Sequence, residues 1–531
     1  MKLFSTNQPI LAAVVLAMAM LAHAPAQAQS AGTPLWTNRY SGPAKWGRAK
    51  ALGVDRSGNV VVTGTSLGGS GTAFEYTTIK YSGAGVPLWL KRYNGGLGYD
   101  SPVALAVDQS NNVVVTGYSM SSDESIKAFA TVKYSEAGVT LWVNRYQGPG
   151  GSNASPAAVA VDSGGNVVVT GQSVGSGGSA GYATVKYSGA GVPLWTNWYF
   201  GPGGFDSPAA QVVDGNDNVI VTGTSTGTDT GSDYLTVKYS STGVPLWTNR
   251  FRQTVFEGVG NDTADAVGVD AGGNVFVTGY SDTYYPGDYY RHTDGRYTTV
   301  KYSALGAQLW VNSYFALDWA GSSLLAVDPS GNVVVIGSSS ELTTTGSTDV
   351  SAITKYSAEG ASLWGNGYDL SWLGPAALAL DGSGNVFVTG GSGSLITCAY
   401  SSAGALLWTN RYSGPGDSGD GAAAVGADSN GNVFVTGDAT VGSYVNSYDE
   451  YVTIKYSGAS GPRLTIGFTS ANTVAVSWPS SATGFILQQN TDGMTTSNWS
   501  PVTATPADDA TTRTVIVNPV AGNVFYRLKS P

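Results

Sequence analysis

The chain is poor in the residues from which most metal centres, triads and disulfide frameworks are assembled. Its 531 residues hold one cysteine, Cys398, and two histidines, His23 and His292. A single cysteine excludes an intramolecular disulfide framework. With His292 alone beyond the N-terminal segment, clustered-histidine metal sites are excluded and a conventional Ser-His-Asp triad is argued against. Charged residues make up only 12%, no basic run occurs, and the formal net charge is −10. Such a chain is a poor binder of nucleic acid or of an anionic membrane. Long apolar runs are also missing beyond the first residues, so no segment approaches the ~20 residues of a spanning helix.

The one apolar run, Ile10 to Ala22, follows Lys2 and precedes the small-x-small triplet Ala26-Gln27-Ala28. That is the pattern of an export signal over 1–28, with cleavage after Ala28. The expected product is a secreted monomer, placed outside the cell, on its surface or in the periplasm.

What is abundant is glycine, with 73 residues, beside small polar, β-branched and aromatic residues. This is the usage of an all-β protein with many tight turns. It is organised as a repeat of about fifty residues, written eight times. Leu-Trp recurs at Trp36, Trp89, Trp142, Trp195, Trp247, Trp310, Trp364 and Trp408. An Asp opens a turn at Asp55, Asp108, Asp162, Asp214, Asp270, Asp328, Asp381 and Asp428. Each repeat holds four strand-like runs, a to d; in the second they are Val103–Asp108, Val113–Gly117, Ala130–Ser135 and Thr140–Tyr146. Four strands per repeat of this length predict a β-propeller. The series begins with a lone d-type run, Pro34–Tyr40, and ends on a c-type run, Val452–Ser457. The expectation is an eight-bladed β-propeller over 34–457, closed by its N-terminal strand, which removes open sheet edges.

The runs "VDxxGNVxVTG" and "TxKYSxxGxxLW" resemble the bacterial SBBP family of secreted β-propeller repeats. The resemblance implies the fold and says little of activity. A second likeness, of Gly85-x-x-x-Trp89 to the tryptophan docking repeat of quinone dehydrogenases, departs at Tyr81 and Tyr134, where that family carries Asp. No vicinal cysteine pair exists either, and no cofactor is expected.

From Pro462 the repeat stops, and 462–531 carries alternating runs of its own, with Trp478, Trp499 and Phe525 as candidate core. It looks like a small immunoglobulin or fibronectin-type β-sandwich.

The a–b and c–d links are nearly identical between copies, whereas the b–c and d–a links vary, so the variable face is the candidate working face. The fifth b–c link is the outlier, placing Tyr284, Tyr285, Asp288, Tyr289, Tyr290, Arg291 and His292 together. Aromatic rings beside Asp and Arg suit a sugar or a protein hot spot. Asp100, Asp206, Asp262 and Asp420 recur eight residues before the turn Asp and are expected near the channel mouth. Turn capping is favoured for them over a shared cation, which would need six to eight oxygens. Seven lysines, from Lys80 to Lys455, also recur, with Ala399 as the exception, and are expected to pair with charges of the scaffold. Cys398 lies in a strand and reads as a buried structural thiol. No catalytic or metal-binding set emerges. The sequence therefore predicts a non-enzymatic binding or adhesion scaffold for carbohydrate or protein. A carboxylate-based carbohydrate-active hydrolase or lyase, or an envelope spacer, are the alternatives.

Overall fold

The computed structural model describes residues 31–529 apart from short segments, the longest being 285–294, 367–373, 480–485 and 492–497. Residues Ala31–Gly461 form one compact unit and Pro462–Pro531 belong to another. Among the described residues the first unit contains eight four-stranded antiparallel sheets, a propeller-type arrangement. In the second repeat the strands are Asp100–Val107, Val113–Met120, Lys127–Tyr134 and Thr140–Tyr146, hydrogen-bonded in that order. Three of them run three residues further toward the variable links than the alternation indicates. The cause is a bulge between Pro102 and Ala104, past which pairing resumes as Ser101↔Tyr118 and Asp100↔Ser119. A bulge shifts the two-residue period and so hides the start of the strand.

The b and c strands are buried on both faces, which is why they read as nearly continuous apolar runs. Val60, Val61 and Val62, like their counterparts in the other repeats, are fully buried. Polar atoms in this layer are paired across the strands, as Thr63 Oγ1 is with Thr78 Oγ1 at 2.9 Å. Neighbouring sheets are pinned by buried tyrosines. Tyr76 donates its hydroxyl to the carbonyls of Tyr118 and Ala130, both at 3.2 Å.

A second pin recurs at the conserved turns. Asp162 Oδ1 accepts the Asn166 amide at 2.8 Å, and Oδ2 accepts Asn166 Nδ2 at 2.9 Å, closing the a–b turn. The same Oδ2 lies 2.8 Å from Lys186 Nζ, with both side chains 2% exposed. Burial alone would raise this carboxyl, but the hydrogen bonds from Lys186 and Asn166 overcome it and hold the group below its usual range. Lys186 then reaches into the next repeat, donating to Ser241 O at 3.0 Å, and Trp195 Nε1 donates to the same carbonyl at 3.2 Å. The signature Asp, Lys and Trp thus form one latch from sheet to sheet. The turn glycine completes it. Gly85 has φ +83°, and a Cβ there would lie 2.8 Å from the Trp36 ring of the neighbouring sheet. Both the left-handed backbone and the close approach require glycine.

The eighth sheet draws Gly421–Ala427, Val433–Val441 and Tyr448–Tyr456 from the end of the series and Pro34–Tyr40 from its beginning. Its c–d turn is made of two separate pieces of chain. Ser457 N donates to Thr33 O at 2.8 Å and Gly32 N to Ser457 O at 3.0 Å. In the first repeat Ser82 N→Val86 O and Gly85 N→Ser82 O make the same bonds within one continuous turn. Across the join, Lys455 Nζ and Trp36 Nε1 donate to Gly83 O at 3.0 and 3.1 Å, so the last sheet is latched onto the first.

In the second unit Thr465–Phe468, Val474–Pro479, Thr512–Val517 and Ala507–Asp508 form one sheet. Ile486–Asn490, Ser500–Pro501 and Phe525–Lys529 form another. Val476, Trp478, Leu487 and Val515 are its buried core. Trp499 is not among them. It is half-buried beneath the Arg527 guanidinium, which stands 4.3 Å from the ring centroid.

Candidate functional site

Of the residues singled out in the fifth b–c link, Tyr285, Asp288, Tyr289, Tyr290, Arg291 and His292 lie outside the described residues. Tyr284 closes a described strand, Val275–Tyr284, opposite Val259. The four acids at the start of strand a are buried. Asp100, Asp206 and Asp262 are 0% exposed and Asp420 is 4%. One oxygen of each accepts a backbone amide of the preceding d–a link, from Gly95, Gly201, Gln253 and Gly414 respectively. They clamp those links. Burial raises Asp262 to about 6, against hydrogen bonds from Ser281 and the Gln253 amide.

On the conserved-turn face a cavity of about 250 Å³ is lined by Asp108, Asp162, Asp214 and Asp217 from three repeats. Three of these carboxylates are already engaged by Lys133, Lys186 and Lys238 at 3.0, 2.8 and 2.8 Å. Asp217 accepts the amide and hydroxyl of Ser163. No group of metal-ligating side chains gathers among the described residues. Cys398 is buried, and burial raises its thiol.

The variable face holds a different arrangement over repeats 8, 1 and 2. The residue just before strand a occupies one backbone position in several repeats. The carbonyls of Trp46, Tyr99, Asn153 and Phe205 each accept the amide of the last residue of strand b. Where this residue is Asn, its side chain caps the preceding repeat's c strand, as Asn153 Oδ1 does for Lys127 N at 2.7 Å. At Trp46, Tyr99 and Phe205 it leaves a ring on the face. Trp46, Tyr99, Phe205, Trp319 and Trp372 share the position by sequence; Trp372 lies outside the described residues. Phe205 is 54% exposed.

Two of these rings join a strip. Trp46 packs edge-on to Phe74 with centroids 5.0 Å apart, Phe74 packs against Tyr99 at 4.5 Å, and Tyr99 stacks on Tyr118 at 5.9 Å and 10°. All four are half-buried. A cation stands at each end. The Arg48 guanidinium is 5.8 Å from the Trp46 centroid and Lys127 Nζ is 4.4 Å from that of Tyr118. Arg48 is held by acids of the eighth sheet, with Nε and Nη2 at 2.8 and 2.7 Å from Asp449 Oδ2 and Nε 3.8 Å from Asp438 Oδ2. Asp438 Oδ1 accepts the Ala49 amide at 2.8 Å. Burial raises Asp438 to about 7, outweighing that amide and Arg48. The arrangement supplies apolar faces for flat ligands, fixed cations, and a carboxyl that exchanges its proton near neutrality.

Sequence reasoning missed this strip because two members precede strand a in successive repeats, while Phe74 opens a c strand and Tyr118 lies within a b strand. The position of Arg48 is Ser101, Ser155 and Ser207 elsewhere. The available signal was the aromatic residue lying one place before the recurring acids.

No family model matches the chain, and no curated protein matches it. Solved structures with a similar fold include the Dos1 propeller, at 9% identity over 80% of this chain and 95% of that one, with a TM-score of 0.48. Another is a protein from Lactobacillus plantarum, at 13% identity over 66% and 95%, with a TM-score of 0.40. A third is a polysaccharide lyase, the ulvan lyase, at 12% identity over 66% and 91%, with a TM-score of 0.41. The chain is thus similar in fold to β-propeller-type proteins, and at these identities the likeness concerns the fold alone. The expectation that the protein is not an enzyme is corrected by the lyase, whose presence among the fold neighbours removes the ground for excluding activity. No helix among the described residues is long and apolar enough to cross a membrane.

Proposed function

We propose that this chain is an exported, SBBP-type propeller of eight blades, with a C-terminal immunoglobulin-like sandwich, whose variable-loop face recognises carbohydrate. The observation that carries the reading is the strip Trp46–Phe74–Tyr99–Tyr118, four half-buried rings in contact on a face where the scaffold needs none. Aromatic faces pack against the apolar faces of sugar rings, while fixed polar groups at the rim take the hydroxyls. Each ring lies in a strand or directly before one, so the strip is formed before any ligand arrives.

A glycan array probed with the full chain and with Tyr99→Ala tests this. Selective hits that the variant loses are expected. A silent array, or hits that Tyr99→Ala leaves unchanged, would refute it.

A specific feature favours a second reading, a carbohydrate-active enzyme. Asp438, its carboxyl raised to about 7 by burial, stands beside Arg48 and Asp449, and two carboxyls at one site are what glycosidic cleavage uses. Release of reducing ends from array hits, abolished by Asp438→Asn, is the expected signature of that reading. Unchanged release in Asp438→Asn would remove Asp438 from it.

A further inference from the structure

We infer that the strip takes an acidic polysaccharide, one bearing carboxylate or sulfate groups along its length, laid over the rings between Arg48 and Lys127. The inference rests on the carbohydrate reading above and adds the class of sugar.

The chain as a whole carries a formal charge of −10, yet both ends of the strip are cationic. Lys45, one residue before Trp46, and Lys50, two residues after Arg48, are exposed as well. These charges are not required by the fold. Lys127 begins its c strand at the position filled by Phe74, Ala180 and Ser232 in other repeats, and none of those carries a charge. The repeated lysines, by contrast, are buried and consumed by their turn aspartates.

The two cations are also prepared for an anion in different ways. Arg48 uses Nε and Nη2 on Asp449, which fixes the plane of the guanidinium while its side chain stays 52% exposed. A guanidinium held along one edge presents its remaining N–H groups in a fixed fork, the geometry that suits carboxylate and sulfate oxygens. Asp449 therefore positions Arg48 and leaves its Nη1 edge for a ligand. The Lys127 ammonium rests over the Tyr118 ring. A cation resting on an aromatic face keeps its outward hydrogens for a ligand. Between the two, the rings provide contact for the uncharged faces of the sugars. A neutral glycan would use the rings and leave both cations unemployed.

The test is affinity electrophoresis of the full chain in gels containing polygalacturonate, dextran sulfate or unmodified dextran. Retardation by a charged polymer and not by dextran is expected, weakening as salt rises. Which of the two charged polymers retards the protein separates a carboxylate ligand from a sulfate one. Lys127→Gln should weaken retention about fivefold without moving the melting temperature. Arg56→Gln, an exposed charge on the opposite face, should leave it unchanged. Equal retardation by dextran, insensitive to salt, would overturn the inference and leave the carbohydrate reading standing. Retention equally sensitive to Arg56→Gln would overturn it as general charge attraction. Retardation by no polymer would overturn both.

Discussion

Removing Lys186 tests whether the Asp–Lys–Trp latch holds the sheets together. Lys186→Met keeps most of the volume and deletes the ammonium. Asp162 is then left buried with no cation, its partner having stood 2.8 Å away, and Ser241 O keeps only the Trp195 donor. Breaking a buried pair by removing one member costs roughly 3–5 kcal/mol, because the survivor remains desolvated and uncompensated. Urea unfolding at pH 7 should show a loss of that order. The double variant Lys186→Met/Asp162→Asn should recover more than half of it. The dependence on pH follows from the direction of the Asp162 shift. In the native protein this carboxyl is held below its usual range, so its contribution is present above the unfolded value, about 3.9, and is lost as pH falls through the lower folded value. Without Lys186, burial dominates and raises the group, so the variant bears a penalty at neutral pH that protonation relieves. The gap between the two proteins should therefore narrow from pH 7 to pH 4. A gap below about 1 kcal/mol at pH 7, or one that does not change with pH, would refute the latch.

Asp438→Asn should act in the opposite sense. Its carboxyl is raised to about 7, so the native protein loses stability as pH rises from the unfolded value through 7. The variant should be more stable by roughly 1–4 kcal/mol at pH 8 and level with the native protein near pH 4, read from urea midpoints. Gly85→Ala should destabilise by about 2–4 kcal/mol through its left-handed backbone and the Trp36 ring, whereas Gly215→Ala, with nothing within 4 Å of the added carbon, should shift the midpoint little. Cys398 should resist thiol reagents in the folded protein and react at once in denaturant, since it is buried and its thiol is raised.

The parts of the fold that are written once per repeat are legible in the sequence, because repetition averages away local accident. The turn aspartates, the paired hairpins and the closing strand Pro34–Tyr40 all show there. The partner of each lysine does not, since Lys186 and Asp162 are brought together only by the twist of strands b and c. Strand starts are hidden by the bulge after Pro102, and Trp499 looks like core by type but lies under Arg527. The strip resists reading for the opposite reason. Trp46 and Tyr99 share a repeat position but Phe74 and Tyr118 come from different strands, and pairing within the second sheet together with the packing of consecutive sheets sets the four side by side. One irregularity becomes intelligible in three dimensions. Ala399 replaces the latch lysine in the repeat that faces the eighth sheet, where the c–d turn is cut. There Trp408 Nε1 has no hydrogen-bond partner among the described residues, although Asn410 still donates to Gly32 O.

The cut turn also fixes when the ring can be finished. The other sheets can each be completed from residues within about fifty positions of one another, as soon as that stretch has been made. The eighth requires Thr33 to find Ser457, 424 positions away. Closing a flexible span costs only about 0.6 kcal/mol more for each doubling, so this last step is roughly 2 kcal/mol dearer than an ordinary hairpin of fifty residues. Strand pairing can offset that amount. The delay cannot be offset. Until the final repeat has been synthesised, the first strand has no partner. A growing chain therefore carries one unpaired strand through its synthesis, and at high concentration that strand can pair with the eighth sheet of a neighbouring molecule before its own is made.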